Sequence, residues 1–281
     1  MKSDQLRDLR ELTTDPRAAR LAAAIDRLDG GIVVAFSGGV DSALLLKACV
    51  DVHGERVIAV TAESESLPET DRADSELLAR AFGARHRFVR TEELADARYR
   101  KNAPDRCYFC KHELFDTLAP IVRELGFTHL AFGANRDDAG EFRPGHRAAA
   151  EFDVKAPLLD AGLGKDDVRD LSRALGIRVW DKPASACLSS RVAYGIAIDT
   201  ALLQRLQDAE RFLHGLGYAA CRVRHHGGIV RIELPKPDLA RAITEHGDAI
   251  SAEMKRLGWT WVSLDVEGLR SGSMNAALAR Q

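Results

Sequence analysis

Short runs of apolar and β-branched residues alternate with helical periodicity along the chain as far as about residue 185. Each run has the length of a buried strand and each periodic stretch that of an amphipathic helix. The pattern predicts βα units on a parallel sheet. GIVVAF (31–36) is the first strand, followed by a Gly-rich turn and a helix over 41–52. RVIAVTA (56–62) is the second strand, with its helix over 69–82, and 86–90 is a weaker third. A helix over 111–125 leads to THLAFGA (128–134), another buried strand. A helix over 165–175, ended by Gly176, precedes a short strand at 177–180, and Pro183 stops the rhythm.

The texture changes after residue 198. A helix over 199–216 starts at an Asp199 or Thr200 cap and closes at Gly217. Runs 219–224 and 229–234 read as a hairpin around His225-His226-Gly227-Gly228, followed by a helix over 238–257 and a strand over 259–266. That α-β-β-α-β order suits a small α+β domain. Two domains are expected, 1–197 and 198–281, with the second carrying substrate contacts and the contacts of a homo-oligomer.

Composition narrows the field. The 281 residues include 40 Lys+Arg and 42 Asp+Glu, for a net charge of −2, and 46% are hydrophobic. This is an ordinary globular balance, and it argues against a surface built to grip nucleic acid. No apolar run approaches the ~18–20 residues of a membrane span. The N-terminus is polar and mixed in charge, so a cytoplasmic protein without membrane contact is expected. Five cysteines, an odd number in a long chain of a reducing compartment, are not a disulfide framework.

The first candidate site is Ser37-Gly38-Gly39-Val40-Asp41-Ser42, between the first strand and its helix. Two glycines let backbone approach a phosphate, and the helix N-terminus favours the anion. Ser37 and Ser42 add hydroxyls, while Asp41 is suited to orienting the loop or holding Mg²⁺. No lysine follows, which separates the loop from the Walker pattern. In this context the hexamer resembles the phosphate loop of the PP-loop ATP pyrophosphatases. The resemblance implies an α/β, adenine nucleotide α-hydrolase-like parallel sheet that binds ATP and Mg²⁺. It also implies adenylation of a carbonyl or carboxylate with release of pyrophosphate. Thr61, at the end of the second strand, is then expected near adenine, with backbone groups of 60–62 available to the base edge. The later loop, Gly133 to Asp138, lies at another strand's carboxyl end, where open α/β sheets bind ligands. There Asp137 or Asp138 can help hold Mg²⁺, and Arg143 can offset charge.

Cys107 and Cys110 form a CxxC just before a predicted helix, and Cys187 lies in KPASACLSSR (182–191). Two thiolates at this spacing plus a remote third suit an iron–sulfur cluster, a zinc site or a redox pair. Basic neighbours Arg106, Lys111 and Arg191 would favour thiolates. Cys49 and Cys221 sit in apolar patterns and are expected to be core residues.

Taken with RPG (143–145), YG (194–195), RVRHH (222–226), RIE (231–233) and SGSMN (271–275), these motifs resemble the LarE family over nearly the whole chain. Its members are ATP-dependent sulfur transferases of nickel-pincer nucleotide biosynthesis, which makes the cofactor of lactate racemase. The resemblance implies adenylation of a carboxylate of pyridinium-3,5-biscarboxylic acid mononucleotide, then attack by sulfur. AMP departs, and a second round gives the bisthiocarboxylate. In one branch the residue matching Cys187 donates its own sulfur and ends as dehydroalanine. In another, three cysteines hold a [4Fe-4S] cluster whose open iron carries the sulfide. This chain has both CxxC and Cys187, which favours the cluster branch. Ser190, Arg191, Arg222 and Arg224 are then substrate-binding candidates, and Glu210 and Glu233 either bind a divalent metal or pair with the arginines. Competing readings are a tRNA thiolase, which would carry a more basic surface, and an amidotransferase-type ligase, which leaves the cysteines idle. A non-catalytic nucleotide-binding regulator is the third.

Overall fold

The computed structural model describes residues 6–140, 144–182, 186–270 and 272–277. Within them the elements run α1 (Pro16–Asp26), β1 (Ile32–Ala35), α2 (Val40–His53), β2 (Val57–Glu63), α3 (Glu69–Ala81), β3 (Arg85–Arg90) and α4 (Ala97–Arg100). Then come α5 (Arg106–Glu124), β4 (His129–Phe132), α6 (Pro144–Glu151), α7 (Pro157–Asp160), α8 (Lys165–Ala174) and α9 (Thr200–Gly215). The chain ends with β5 (Arg222–His226), β6 (Ile229–Glu233), α10 (Leu239–Thr244), α11 (Gly247–Arg256) and β7 (Trp261–Leu264). It divides into two compact units. One comprises Met1–Ser64, Glu69–Glu93 and Cys107–Ser185, and the other Glu65–Pro68, Leu94–Arg106 and Ala186–Gln281.

The first unit holds the parallel sheet the sequence predicts, in the order β3-β2-β1-β4. All four β1 residues are buried, so both faces of the strand are covered. Alternation sends Ile32 and Val34 to one core, with α1, α2 and α8, and Val33 and Ala35 to another, with Phe115, Leu118 and Ile121 of α5. β3 is an edge strand, and Arg85, Arg87 and Arg90 on it discourage further pairing. The chain moves outward from β1 through β2 to β3, then returns to β4 on the other side of β1. The order reverses at β1 and β4, and in open α/β sheets ligands bind outside the carboxyl ends of the strands at such a point.

Three local expectations are corrected. Residues 177–180 form turns rather than a strand, because Ile177 and Val179 point into the helix-side core and find no strand to pair with. The CxxC lies inside α5, at its second and fifth residues, not before it. The predicted helix over 238–257 is two helices, interrupted where His246 leaves helical geometry before Gly247.

In the second unit β5 and β6 pair antiparallel and β6 and β7 parallel. Val223, Val230 and Ile232 pack with Leu203, Leu206 and Leu213 of α9 in one core. Asp199 caps α9 by accepting the Leu202 N–H at 2.7 Å. Among the described residues no helix is long and apolar enough to cross a membrane.

Candidate functional site

Gly38 carries φ +70°, and a Cβ there would lie 3.1 Å from Asp71 O and Ser75 N, so the turn after β1 demands glycine. Gly39 is the N-cap of α2 and has no side chain to cap with, which leaves the first-turn N–H groups for a ligand. Ser42 Oγ donates to Gly39 O at 3.0 Å and accepts from Ser37 N–H at 3.3 Å. The Ser37 hydroxyl lies 3.1 Å from Ser42 Oγ. Ser42 is buried and shapes the loop, while Ser37 is an exposed residue whose hydroxyl shares a hydrogen bond with Ser42.

Gly133, at the end of β4, packs directly on this helix start. A Cβ there would fall 2.8 Å from Ser42 N and 2.9 Å from the Asp41 carbonyl carbon. Asn135 Nδ2 donates to Asp41 Oδ1 at 3.1 Å, and the Lys165 ammonium donates to Asp41 Oδ2. Asp138 Oδ2 accepts the Asn135 N–H at 3.1 Å, and Asp137 Oδ2 accepts the Lys165 N–H at 2.7 Å. Asp41, Asp137 and Asp138 thus lie beyond the carboxyl ends of β1 and β4. Arg143 lies outside the described residues.

Thr61 is buried, and its hydroxyl is 2.9 Å from His86 Nε2. Burial holds the His86 pKa below the ordinary histidine value. Its ring stands edge-on to Phe36 at 6.0 Å and packs on Phe88 at 4.6 Å. Val60 O accepts from Phe36 N–H, so that carbonyl belongs to the backbone frame and not to a base edge. Lys182 pairs with Asp71 at 2.9 Å and Asp74 at 2.7 Å. Burial opposes its charge, yet these carboxylates hold its pKa above the usual lysine range.

The second unit builds a polar cluster around Cys187. Arg191 Nε and Nη2 donate to Glu210 Oε1 and Oε2 at 3.0 and 3.2 Å, a bidentate pair. Its Nη1 donates to the carbonyls of Ala186 and Cys187, so this arginine clamps the cysteine's own backbone. Asn102 Nδ2 donates to Ala193 O at 2.9 Å and Ile196 O at 3.0 Å, and Arg106 Nη1 to Ser189 O at 2.8 Å. The Tyr99 hydroxyl reaches Ser189 Oγ at 2.6 Å.

Strand alternation puts Arg222, Arg224, Arg231 and Glu233 on one face of the β5–β6 pair, with Arg224 directly opposite Arg231. Glu233, fully buried, sits between them. Its Oε2 accepts from Arg224 at 2.9 Å, and its Oε1 from Arg231 at 3.1 Å and Ser273 at 2.6 Å. Arg224 Nη1 also donates to Ser190 O at 3.2 Å. Burial, with Arg191 and Arg224 nearby, pushes the Arg222 pKa down to about 10. Both glutamates therefore meet arginines, and among the described residues no three His, Cys, Asp or Glu side chains converge on a metal position.

None of the five cysteines forms a disulfide. Cys49 and Cys221 are buried, as their apolar patterns predict, and burial raises both thiol pKa values. Cys107 is exposed and Cys110 half-buried, at i and i+3 of α5 on one side of the helix. Cys187 is half-buried and is the N-cap of a short 3₁₀ turn, Leu188–Arg191. Residues 183–185 and Ser271, parts of two quoted motifs, lie outside the described residues. Asn102 and Lys165 lie in no quoted motif, and Asn135 lies in the 133–138 loop without being singled out there; only the fold reveals their partners.

No family model matches the chain. An uncharacterized protein of Synechocystis is 40% identical over 250 residues, covering 88% of this chain and 93% of that protein. The pyridinium-3,5-bisthiocarboxylic acid mononucleotide synthase of Lactiplantibacillus plantarum is 35% identical over 269 residues, 95% of this chain and 97% of the relative. A tRNA-specific 2-thiouridylase, MnmA, of Caulobacter vibrioides is 30% identical over 221 residues, covering 64% of this chain and 58% of the thiouridylase. The full-length match is to the synthase, whereas the thiouridylase match is partial. With its phosphate loop on a parallel sheet, the chain belongs to the pyridinium-3,5-bisthiocarboxylic acid mononucleotide synthase (LarE) family of sulfurtransferases in the PP-loop superfamily.

Proposed function

We propose that the chain adenylates pyridinium-3,5-biscarboxylic acid mononucleotide with ATP and converts its carboxylates to thiocarboxylates for a nickel-pincer nucleotide. The observation that carries this reading is the full-length likeness to the Lactiplantibacillus plantarum synthase, spanning both compact units. A substrate carboxylate oxygen attacks the α-phosphorus of ATP, and pyrophosphate leaves. Sulfur then attacks the acyl-adenylate carbon, and AMP departs with the C–O bonding pair. A second cycle thiolates the other carboxylate.

Several features support the parts of this scheme. The uncapped start of α2, with Ser37, Gly38, Gly39 and Ser42, suits the β- and γ-phosphates and stabilises the leaving pyrophosphate. Asp41 and Asp138 are hard oxygen donors of the kind Mg²⁺ takes, and the ion would neutralise phosphate charge there. Thr61 lies in β2 and Gly133 directly after β4, the two strands that flank β1. The Arg222 and Arg224 face, beside Ser190, suits an anionic mononucleotide. Arg191 orients the Cys187 backbone, and Glu210 fixes Arg191.

For the sulfur source, Cys107, Cys110 and Cys187 are the three cysteines outside the apolar cores, and thiolates are the ligands a [4Fe-4S] cluster takes, although among the described residues no three such side chains converge on a metal position. Held by these three thiolates, a cluster would supply a transferable sulfide at the iron that lacks a protein ligand. Anaerobic reconstitution with iron and sulfide tests this, read by optical spectra and by intact mass after turnover. The expected result is a coloured protein of unchanged mass, with colour and turnover both lost in Cys107→Ala. A colourless, active protein that loses one H₂S at Cys187 would replace the cluster with a sacrificial cysteine. Thiolation of tRNA instead of the mononucleotide would overturn the substrate assignment.

A further inference from the structure

Residues 37–42 contain no cationic side chain, although a polyphosphate at a helix N-terminus gains strongly from an ammonium beside it. Other lysines of the same unit are engaged elsewhere. Lys47 is buried against Asp51, Lys155 pairs with Asp153, and Lys182 is held by Asp71 and Asp74. Lys111 lies over the Phe115 and Phe132 rings at 5.7 and 6.0 Å. Lys165 differs, because the carboxylate it meets, Asp41 Oδ2, belongs to the phosphate loop itself.

Its position is unusual for a lysine. Lys165 is the first residue of α8, where a positive charge opposes the helix dipole. Helix stability therefore does not account for it. The N-cap is served from within the helix, by Asp167 Oδ2 accepting the Gly164 N–H at 3.1 Å. The Lys165 N–H donates to Asp137 Oδ2 at 2.7 Å, which fixes the lysine's backbone to the loop after β4. Asn135 holds the other oxygen of Asp41. The ammonium is thus placed at the loops that follow β1 and β4. Only one of its three donors is used on Asp41.

We infer that Lys165 supplies from α8 the phosphate-binding cation that the loop lacks, contacting the β- and γ-phosphate oxygens of ATP and the pyrophosphate that leaves. The inference rests on the ATP-dependent reading above and assigns that site a further residue. Asp41 anchors the ammonium beside the loop, and a divalent cation on the triphosphate shares the same carboxylate.

Titration calorimetry of the full chain with ATP, inorganic pyrophosphate and AMP tests this in wild type, Lys165→Gln and Lys165→Arg. Lys165→Gln should weaken ATP and pyrophosphate about tenfold. AMP affinity should hold within about twofold, because AMP has no β- or γ-phosphate; it also reports that the fold is intact. Lys165→Arg should recover most of the loss. In parallel, ATP and pyrophosphate, but not AMP, should protect Lys165 from an amine-acylating reagent, read by peptide mass. Wild type that binds ATP while Lys165→Gln binds pyrophosphate equally well overturns this inference alone. Equal protection by AMP overturns it too. Wild type that binds neither ATP nor pyrophosphate overturns both this and the reading beneath it.

Discussion

Replacing Glu210 with Gln removes the charge that balances Arg191 inside the second unit. The two side chains are 9% and 7% exposed, so solvent screens the pair weakly. Glu210 Oε1 also accepts the Val223 N–H at 3.1 Å, which ties the carboxylate to β5. Removing one partner of such a buried pair costs about 3–5 kcal/mol. Gln keeps one acceptor, which places the expected cost near about 3 kcal/mol. At about 4 °C per kcal/mol for a unit of this size, the melting temperature should fall by about 12 °C. Scanning calorimetry with and without a chelator is the assay. Ion pairing predicts the same loss in both buffers, whereas a metal ligated by Glu210 predicts that chelator destabilises wild type as well. The double variant Arg191→Met/Glu210→Met should recover much of the stability, since an apolar pair can replace a buried ion pair at little cost. It should not recover sulfur transfer, because Ala186 O and Cys187 O lose their donor. A fall below about 4 °C, or a double variant no more stable than Glu210→Gln, would show that Glu210 does not balance a buried Arg191 charge.

Gly133→Ala drives a Cβ to 2.8 Å from Ser42 N, a backbone atom that cannot swing away. It should cost about 1–3 kcal/mol in denaturant titrations and weaken ATP binding. Gly215→Ala, with nothing within 4 Å, should be neutral or stabilising by about 0.5–1 kcal/mol. Burial, and then nearby arginines, hold the His225 and His226 pKa values below 6.5, and Trp259 Nε1 donates to His225 Nδ1 at 2.9 Å. The unfolded chain therefore binds protons that the folded unit refuses. Stability should be full above pH 6.5 and fall as pH drops below it, a slope that His225→Gln/His226→Gln should reduce in melts from pH 7.5 to 5.5. A pyridine mononucleotide should raise the melting temperature of wild type, and Arg222→Met should abolish that rise.

The strand–turn–helix at 31–53 and the parallel sheet were legible because their signals are local. A four-residue buried strand, two glycines and a largely buried, apolar helix follow one another within about twenty residues. The 177–180 run misled for a physical reason. Ile177 and Val179 are apolar because they fill the helix-side core, and periodicity alone cannot separate burial from strand pairing. The break at His246 was hidden because the apolar face continues through Ile250 and Met254. Side-chain partners were least legible. Arg191 finds Glu210 19 positions away, Asn102 finds Ala193 91 away, and Lys165 finds Asp41 124 away. Such pairings leave no local pattern. The arginines at 222 and 224 suggested an anion site through alternation, but only the β5–β6 register shows Glu233 holding Arg224 and Arg231 apart.

The central claim is that ATP is cleaved at its α-phosphorus to activate a carboxylate for sulfur. Anaerobic turnover with pyridinium-3,5-biscarboxylic acid mononucleotide, followed by ³¹P NMR and product mass, tests it most directly. One AMP and one pyrophosphate are expected for each oxygen replaced by sulfur in the nucleotide. Release of ADP and phosphate, or a nucleotide that gains no sulfur, would contradict it.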